Sequence, residues 1–257
     1  MKRVILMLGL GLVTAIGSAQ TNLPAATASN QVVIAIVCGK EITSADKAKL
    51  NGLIFGTLLE KFAEENNIAP TEVELDLFTF KTEEKRQQQQ LELEHDALKL
   101  RKELESAAFN DRERTVKAEL LKSTEQVLKT FREIQAQSMG LGEEMRPMWR
   151  RIAQQWVSRW KINQALYEKY GGRVIFQQAG MEPLDAYRDF LKEQEQAGAF
   201  QIIDKQYEAS FWRYFTTDSM HRFCSKEEGD AAMTTPWWLI EKKPEPPAST
   251  QPKADSD

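Results

Sequence analysis

The sequence predicts a mainly α protein, with a helical core, a short N-terminal strand and a long antiparallel helical hairpin that forms an arm. Apolar residues recur at helical spacing in most segments after Thr43, which predicts amphipathic helices. One continuous run of apolar, mostly β-branched residues, Val32–Val37, is typical of a buried strand. A third pattern predicts the hairpin, because apolar residues alternate by four and three positions as in a two-helix coiled coil. These residues are Leu93, Ala97, Leu100, Leu104 and Ala107.

The chain begins with the layout of a secretory signal peptide, residues 1–19. The charged pair Lys2-Arg3 precedes an apolar run that ends at Ile16, and small residues follow up to Ala19. This order predicts cleavage after Ala19 and a periplasmic or secreted mature protein. An uncleaved anchor is the alternative, but the run is shorter than the roughly 20 apolar residues that span a bilayer. We therefore expect no stable membrane insertion, and a flexible lead over residues 20–30.

Residues 31–78 are predicted as the N-terminal part of the helical core. A turn at Cys38-Gly39 closes the strand. The Thr43 hydroxyl and the Asp46 carboxylate have the spacing of a capping box, which predicts a helix that ends at Asn66-Asn67.

Residues 79–138 are predicted as the hairpin arm. A second capping box at Thr71–Glu74 starts a long helix that reaches about Phe109. Asn110-Asp111 interrupts this helix, and a second apolar stripe continues to a stop at Gly140-Leu141-Gly142.

Residues 143–240 are predicted as the aromatic-rich C-terminal part of the core. Pro147 stands at a good first-turn position and predicts the start of a helix that ends at Gly171-Gly172. We interpret the apolar run Val174–Phe176 as a short helix rather than a strand.

Two further helices are expected near the C-terminus. One runs over Leu184–Ala197 and is terminated by Gly198, and another is capped by Asp204. Residues 241–257 are rich in Pro, Lys and Asp, a composition that predicts a disordered tail.

Charge and cysteine content limit the classes of function. The formal net charge of −4 argues against a nucleic-acid partner, since neutralising phosphates requires a basic surface. Two cysteines are too few for a disulfide framework. A single disulfide between Cys38 and Cys224 would close a very long loop, and two separate buried thiols are the alternative.

Metal and nucleophilic sites have little support in the sequence. His95, between Glu94 and Asp96, lies on a highly charged helix, so a solvated face explains these residues better than a metal site. His221 precedes Cys224 by three residues and would face the same way on a helix, but ordinary packing explains the pair. We expect no metal and no cofactor.

A carboxylate-centred acid–base site is the best enzyme hypothesis. It would combine four residues of the Gly- and Pro-punctuated C-terminal region: Glu182, Asp185, Arg188 and His221. Helix capping and surface ion pairs explain the same residues without chemistry, so we expect the protein not to be an enzyme.

Aromatic and methionine side chains of the C-terminal half are the candidate binding residues. About half of the aromatic residues are expected in the core, and the others are expected to line a groove for apolar segments of other proteins. The candidates are Met145, Met148, Trp149, Trp156, Trp160, Trp212 and Phe215.

The segment Val32–Leu75 resembles the N-terminal part of the SurA family of periplasmic chaperones. In that family an apolar strand leads into an Asn-Gly turn, then Ile-Thr or Ile-Ser, then a helix. The corresponding residues here are Ile36-Val37-Cys38-Gly39-Lys40-Glu41-Ile42-Thr43. The later phrase Pro70-Thr71-Glu72-Val73-Glu74-Leu75 is similar to the family's Thr-capped start of a Glu-x-Glu helix. Cys38 departs from the family's usual Asn, which affects the hydrogen bonding of the turn.

The resemblance implies a chaperone core that a C-terminal helix completes, and ATP-independent holding of apolar segments of unfolded, exported proteins. The family often carries a parvulin prolyl isomerase domain, which needs facing histidines in a mixed sheet. This chain has only His95 and His221 and no succession of strands, so we expect no isomerase activity. The arm is not part of the family's usual pattern. It leaves open a structural or adaptor protein of the cell envelope that acts through its coiled coil, with homo-oligomerisation as one form.

Overall fold

The computed structural model describes residues 32–106, 109–177 and 180–240, without the side chains of residue 106 and residues 134–145. The predicted signal peptide (1–19), flexible lead (20–30) and tail (241–257) lie outside the described residues. The strands are β1 (Val33–Val37), β2 (Lys40–Thr43), β3 (Ile175–Gln177), β4 (Gly180–Glu182) and β5 (Phe200–Ile202). The helices are α1 (Leu50–Glu65), α2 (Glu72–Ser106), α3 (Asp111–Tyr170), α4 (Leu184–Gln196), α5 (Glu208–Thr216) and α6 (Lys226–Thr234). The fold is mainly α, as the sequence predicts.

The chain divides into two compact units. The first contains the described residues up to Ile68 together with Ile162–Trp237. The second contains Ala69–Lys161 and a short segment that starts at Trp238. The sequence placed the hairpin between residues 79 and 138, so the second unit extends beyond that prediction at both ends. In the part of the chain that the structure describes, no helix is long and apolar enough to cross a membrane.

The first unit joins the start of the described chain and a strand of its C-terminal half in one sheet. Its strand order is β2-β1-β5, and both pairs are antiparallel. The β1–β2 turn has positive φ at Cys38 (47°) and Gly39 (76°), the backbone that a tight two-residue hairpin requires. The turn was predicted from the sequence, whereas β2 and β5 were not. A helix start was predicted at Thr43, where β2 ends, and β5 pairs with β1 from the C-terminal half of the chain.

Helices pack on this sheet to form an apolar core. From α1 it receives Ile54, Leu58 and Phe62. Two helices of the C-terminal half contribute Phe190 and Phe211, and the last turns of α3 contribute Leu166. N-terminal and C-terminal segments therefore share one core in the first unit.

Two predicted helix starts are wrong. Thr43 makes no capping hydrogen bond, because its backbone pairs with Val33 as the last residue of β2. A 3-10 helix, Ser44–Lys49, precedes α1 instead. Pro147 does not open a helix but lies inside α3, which also continues through Gly140 and Gly142. An interior glycine costs a helix only about 1 kcal/mol and a proline about 3 kcal/mol, so long flanking segments override these signals.

The apolar run after Gly172 is a strand and not the predicted short helix. β3 pairs with β4 in an antiparallel hairpin, with Phe176 opposite Met181. The Phe176 amide also donates to the carbonyl of Arg222 at 2.9 Å. Arg222 lies 46 residues along the sequence, and such a distant partner leaves no signal in the local pattern. The predicted helix over Leu184–Ala197 is confirmed as α4, which ends at Gln196 with Ala197 as its C-cap.

Candidate functional site

Helix α2 starts at a capping box in the second unit, as predicted. The Thr71 amide donates to Glu74 Oε2 at 2.6 Å, and the Glu74 amide donates to Thr71 Oγ1 at 3.3 Å. Lys161 Nζ lies 3.0 Å from both carboxylate oxygens of Glu74. The first turn of α2 is therefore tied to α3 by charge as well as by its own cap.

An aromatic cluster holds the next turn of α2. The rings of Phe78 and Trp238 meet edge-on with centroids 5.0 Å apart, and Trp160 meets Trp238 at 5.9 Å. Trp238 is only 4% exposed. Lys85 Nζ donates to the carbonyl of Ile240 at 2.5 Å, so the segment from Trp238 is bound along α2.

Farther along, α2 and α3 form the predicted antiparallel hairpin. Leu93 and Ala97 of α2 pack against Leu128 of α3 in a small apolar core. Ion pairs flank this core: Arg101 with Glu125 at 2.6 Å, Arg132 with Glu94 at 3.0 Å, and Lys117 with Glu103. Hydrogen bonds from Arg132 and Gln90 hold the pKa of Glu94 below its usual range. These contacts fix which face of α2 is turned toward α3.

The opposite face of α2 carries a row of exposed apolar side chains, which we call the α2 stripe. At 3.6 residues per turn its members fall within an arc of about 60°, on the side away from Leu75, Phe78 and Leu93. Its members and their exposed fractions are Val73 (76%), Leu77 (39%), Phe80 (64%), Leu91 (67%) and Leu98 (49%). Single exposed apolar residues are ordinary, whereas an aligned row indicates an interaction surface.

The α2 stripe offers apolar contact and little polar chemistry. The ammonium of Lys81 lies 5.6 Å from the ring centroid of Phe80, at the edge of the stripe. Glu84 and Gln87 occupy the gap between Phe80 and Leu91 on the same face. A surface of this kind suits an apolar helix or an extended apolar segment rather than a small polar ligand.

The predicted binding residues are divided between the two units, with Trp212 and Phe215 in the first and the others in the second. Phe215 is only 4% exposed in the core of the first unit, so it is unable to contact a partner in the folded protein. Trp212 is half-buried against that core, with its ring 5.2 Å from Phe211. The prediction for Phe215 is wrong, because the amphipathic spacing of α5 turns this side chain inward, whereas Trp212 is only partly buried and stays a prediction.

The remaining predicted binding residues belong to α3. Trp149, Trp156 and Trp160 are half-buried, and Trp160 packs in the aromatic cluster with Trp238. Met148 is 42% exposed. The Met145 side chain lies outside the described part of the structure.

The four residues of the enzyme hypothesis fall into two sets of contacts: Asp185 pairs with Arg188, whereas Glu182 and His221 both contact Tyr214. Asp185 accepts hydrogen bonds from the Arg173 backbone and side chain at 2.8 Å and pairs with Arg188 at 2.9 Å. Glu182 accepts from the Tyr214 hydroxyl at 2.8 Å, and His221 Nε2 lies 2.6 Å from the carbonyl oxygen of Tyr214. Burial raises the pKa of Asp185, but the Arg173 hydrogen bonds and the charge of Arg188 outweigh it and lower the net value. A carboxylate held ionised in this way suits a structural role better than acid–base work at neutral pH.

The two cysteines are both free thiols, so the disulfide alternative is not formed. Cys38 is exposed at the β1–β2 turn, while Cys224 is partly buried with its Sγ 3.3 Å from Met181 Sδ. Burial raises the pKa of Cys224 to about 11, which disfavours the thiolate that a nucleophile needs. His221 and Cys224 also do not share a helix, contrary to the predicted helical spacing.

No family model, curated protein or solved structure matches this chain. The resemblance of Val32–Leu75 to the SurA family therefore stays a prediction, and function is argued from the residues alone. Among the residues that the structure describes, no group of three or more His, Cys, Asp or Glu side chains is placed to hold a metal ion.

Sequence reasoning missed the α2 stripe, although the signal is present. Leu75, Phe78 and Leu93 mark one face of α2, and this periodicity was used to predict the helix. Val73, Phe80 and Leu91 repeat with the same period about half a turn away. A surface helix usually has one apolar face, which is buried, and one polar face, which is solvated. Because α2 has apolar residues on two faces, its sequence pattern does not show which face is buried.

Proposed function

We propose that this protein is an ATP-independent, holdase-type chaperone of the periplasm that binds apolar segments of unfolded, exported proteins along the α2 stripe. The observation that carries the proposal is the exposed row Val73, Leu77, Phe80, Leu91 and Leu98 on the face of α2 opposite the hairpin core. The N-terminal segment has the layout of a signal peptide, which supports a location outside the cytoplasm, where exported chains are present.

The stripe has the chemistry of a surface for unfolded segments. It is long, apolar and interrupted by the flexible polar side chains Glu84 and Gln87. Contacts of this type are non-directional, so different apolar sequences bind with similar strength. No nucleotide is needed for such binding, because affinity follows from apolar area removed from water.

A helical adaptor protein is the second candidate, and one observation favours it. The stripe repeats at helical spacing within a narrow arc, as does the face of a helix that pairs with another helix. A single ordered partner would then occupy α2, whereas a chaperone would accept many unrelated segments.

The test is suppression of aggregation of an unfolded outer-membrane protein by the purified mature chain. The double variant Phe80→Glu/Leu91→Glu places two charges in the stripe and is expected to lose most of the suppression. The matched control, Val116→Glu/Leu120→Glu, replaces two exposed apolar residues of α3 (59% and 44% exposed) and is expected to behave like wild type. A wild-type chain that leaves aggregation unchanged at stoichiometric ratios would contradict the chaperone function and favour the adaptor.

A further inference from the structure

Four of the five residues of the α2 stripe are placed symmetrically along the helix, and Leu77 is the exception. Val73 and Phe80 are seven residues apart, and so are Leu91 and Leu98. The two pairs are placed symmetrically about the midpoint between Lys85 and Arg86. An isologous two-fold interface requires this property, since each residue of one copy must meet the mirror position of the other.

Antiparallel pairing of two α2 helices about that midpoint places four of the five stripe residues opposite one another. Val73 of one copy then lies opposite Leu98 of the second, and Phe80 lies opposite Leu91. Leu77 lies opposite Glu94, whose carboxylate is already bound by Arg132 at 3.0 Å. These layers follow the alternation by three and four residues that defines a coiled-coil seam.

The centre of this pairing is polar. Glu84 of one copy lies opposite Gln87 of the second, and the same contact is repeated on the other side of the two-fold axis. A carboxylate facing an amide donor is a complementary pair. Polar residues in an apolar seam fix the register at a cost in stability, so they select one alignment over its neighbours.

The flanking charges also agree with this register. On one flank of the seam, Glu74 of one copy comes near His95 of the second, and Lys81 comes near Gln88. On the other flank Glu83 comes near Gln90. No like charges face each other at these positions, so repulsion does not oppose the pairing. Lys85 and Arg86 are level with the axis but lie on the other side of α2, where Lys85 is bound to the carbonyl of Ile240 and Arg86 to Glu83.

We propose that a second copy of this chain covers the α2 stripe through antiparallel α2–α2 pairing, with the two-fold axis between Lys85 and Arg86. This inference rests on the α2 stripe being the binding surface of the proposed function. The dimer is the form without client, and an unfolded segment competes with the second copy for the same apolar residues.

Thiol cross-linking of the full mature chain tests the register. In a Cys38→Ser/Cys224→Ser background, Val73→Cys protein is mixed with differently tagged Leu98→Cys protein and treated with a short bis-maleimide. Cross-links between Val73→Cys and Leu98→Cys chains are expected. Val73→Cys protein alone is expected to give none, because its two thiols would be about 38 Å apart at 1.5 Å rise per residue. Cross-linking of Val73→Cys protein with itself, or no cross-linking at all, would overturn the proposal.

Sedimentation equilibrium provides the second measurement. Phe80→Glu/Leu91→Glu is expected to raise the dimer dissociation constant by about a hundredfold or more, because four carboxylates would enter the apolar layers. Val116→Glu/Leu120→Glu is the matched control and is expected to leave it unchanged. A wild-type chain that is monomeric yet still suppresses aggregation would overturn the dimer alone. A register-specific dimer without suppression of aggregation would support the dimer and contradict the chaperone function.

Discussion

Gly172 lies immediately after α3 in a backbone conformation that its neighbours require. Its φ is +93°, and a Cβ built on it would lie 2.4 Å from Asp185 Cβ. Gly171 beside it also has positive φ (+65°), but a Cβ there would meet nothing within 4 Å. The two glycines therefore separate the cost of backbone strain from the cost of a clash.

Alanine at Gly172 is expected to destabilise the first unit more than alanine at Gly171. The left-handed backbone costs either variant about 1 kcal/mol, and the clash with Asp185 adds about 2 kcal/mol at Gly172. Urea denaturation of Gly172→Ala and Gly171→Ala measures both. Equal losses of unfolding free energy in the two variants would contradict the close approach of Gly172 to Asp185.

Asp185 is expected to contribute to stability in a pH-dependent way. Its pKa is lower in the folded protein than in the unfolded chain, so the contribution is complete above the unfolded value and is lost as pH falls through the folded value. Asp185→Asn should lower the unfolding free energy by about 2 kcal/mol at pH 7. The gap to wild type should start to narrow as the pH falls below about 3.9, the ordinary pKa of an aspartate in an unfolded chain.

Asp189→Asn is the matched control for this prediction. Asp189 lies on the same helix and pairs with Arg188 at 3.2 Å, but its side chain is 43% exposed. Its loss is expected to cost less than about 0.5 kcal/mol at pH 7. A gap between Asp185→Asn and wild type that stays constant from pH 7 to pH 3 would argue against the ionised Asp185 contact.

At the residue scale, sequence reasoning identified Gly171-Gly172 as a helix stop but not the role of Asp185. Glycine pairs after a helix carry a local signal, because left-handed backbone conformations favour glycine. Arg188 is a local partner of Asp185, but Arg173 is 12 residues away from it and also reaches Asp218, 45 residues from Arg173. An ion network assembled from distant segments leaves no spacing pattern to read.

At the scale of elements, the hairpin depends on a small core between α2 and α3. Leu128 is 4% exposed and packs against Leu93 and Ala97. Leu120, two turns earlier on α3, is 44% exposed. The two leucines therefore differ in burial while sharing the same helix.

Leu128→Ala is expected to destabilise the hairpin by about 2 kcal/mol or more, whereas Leu120→Ala should stay within about 0.5 kcal/mol of wild type. Hydrogen exchange of the α2 backbone amides measures local opening of the hairpin. Faster exchange over α2 in Leu128→Ala, with unchanged protection of α1, is the expected result. Equal exchange in the two variants would contradict the small core.

Element boundaries could be predicted where the signal is local. The capping box at Thr71–Glu74 and the break at Asn110-Asp111 were predicted and are confirmed. The start at Thr43 and the start at Pro147 were wrong, because a strand pairing and a continuous long helix overrode the local preference. Strand β3 was missed for the same physical reason, since its partners come from β4 and from the segment near Phe223.

At the scale of the whole molecule, the fold class followed from periodicity, whereas the surface that we assign to function did not. The mainly α fold and the hairpin depend on apolar faces that recur along the sequence. A binding surface can be predicted only when it is known which aromatic residues are buried, and tertiary packing decides their burial. Phe215 was predicted to bind partners but lies in the core. Phe80 is 64% exposed, although helix α2 was predicted from the apolar residues of its opposite face.

The central claim is that unfolded chains bind the α2 stripe, and site-specific photo-crosslinking tests it most directly. A photoreactive phenylalanine analogue replaces Leu91 in the stripe, and in the matched control it replaces Val116 (59% exposed) on α3. The purified protein is mixed with a fluorescent, unfolded outer-membrane protein and irradiated. We expect adducts with the labelled client from position 91 and few from position 116. Equal adduct yields at the two positions, or none at position 91, would contradict the claim.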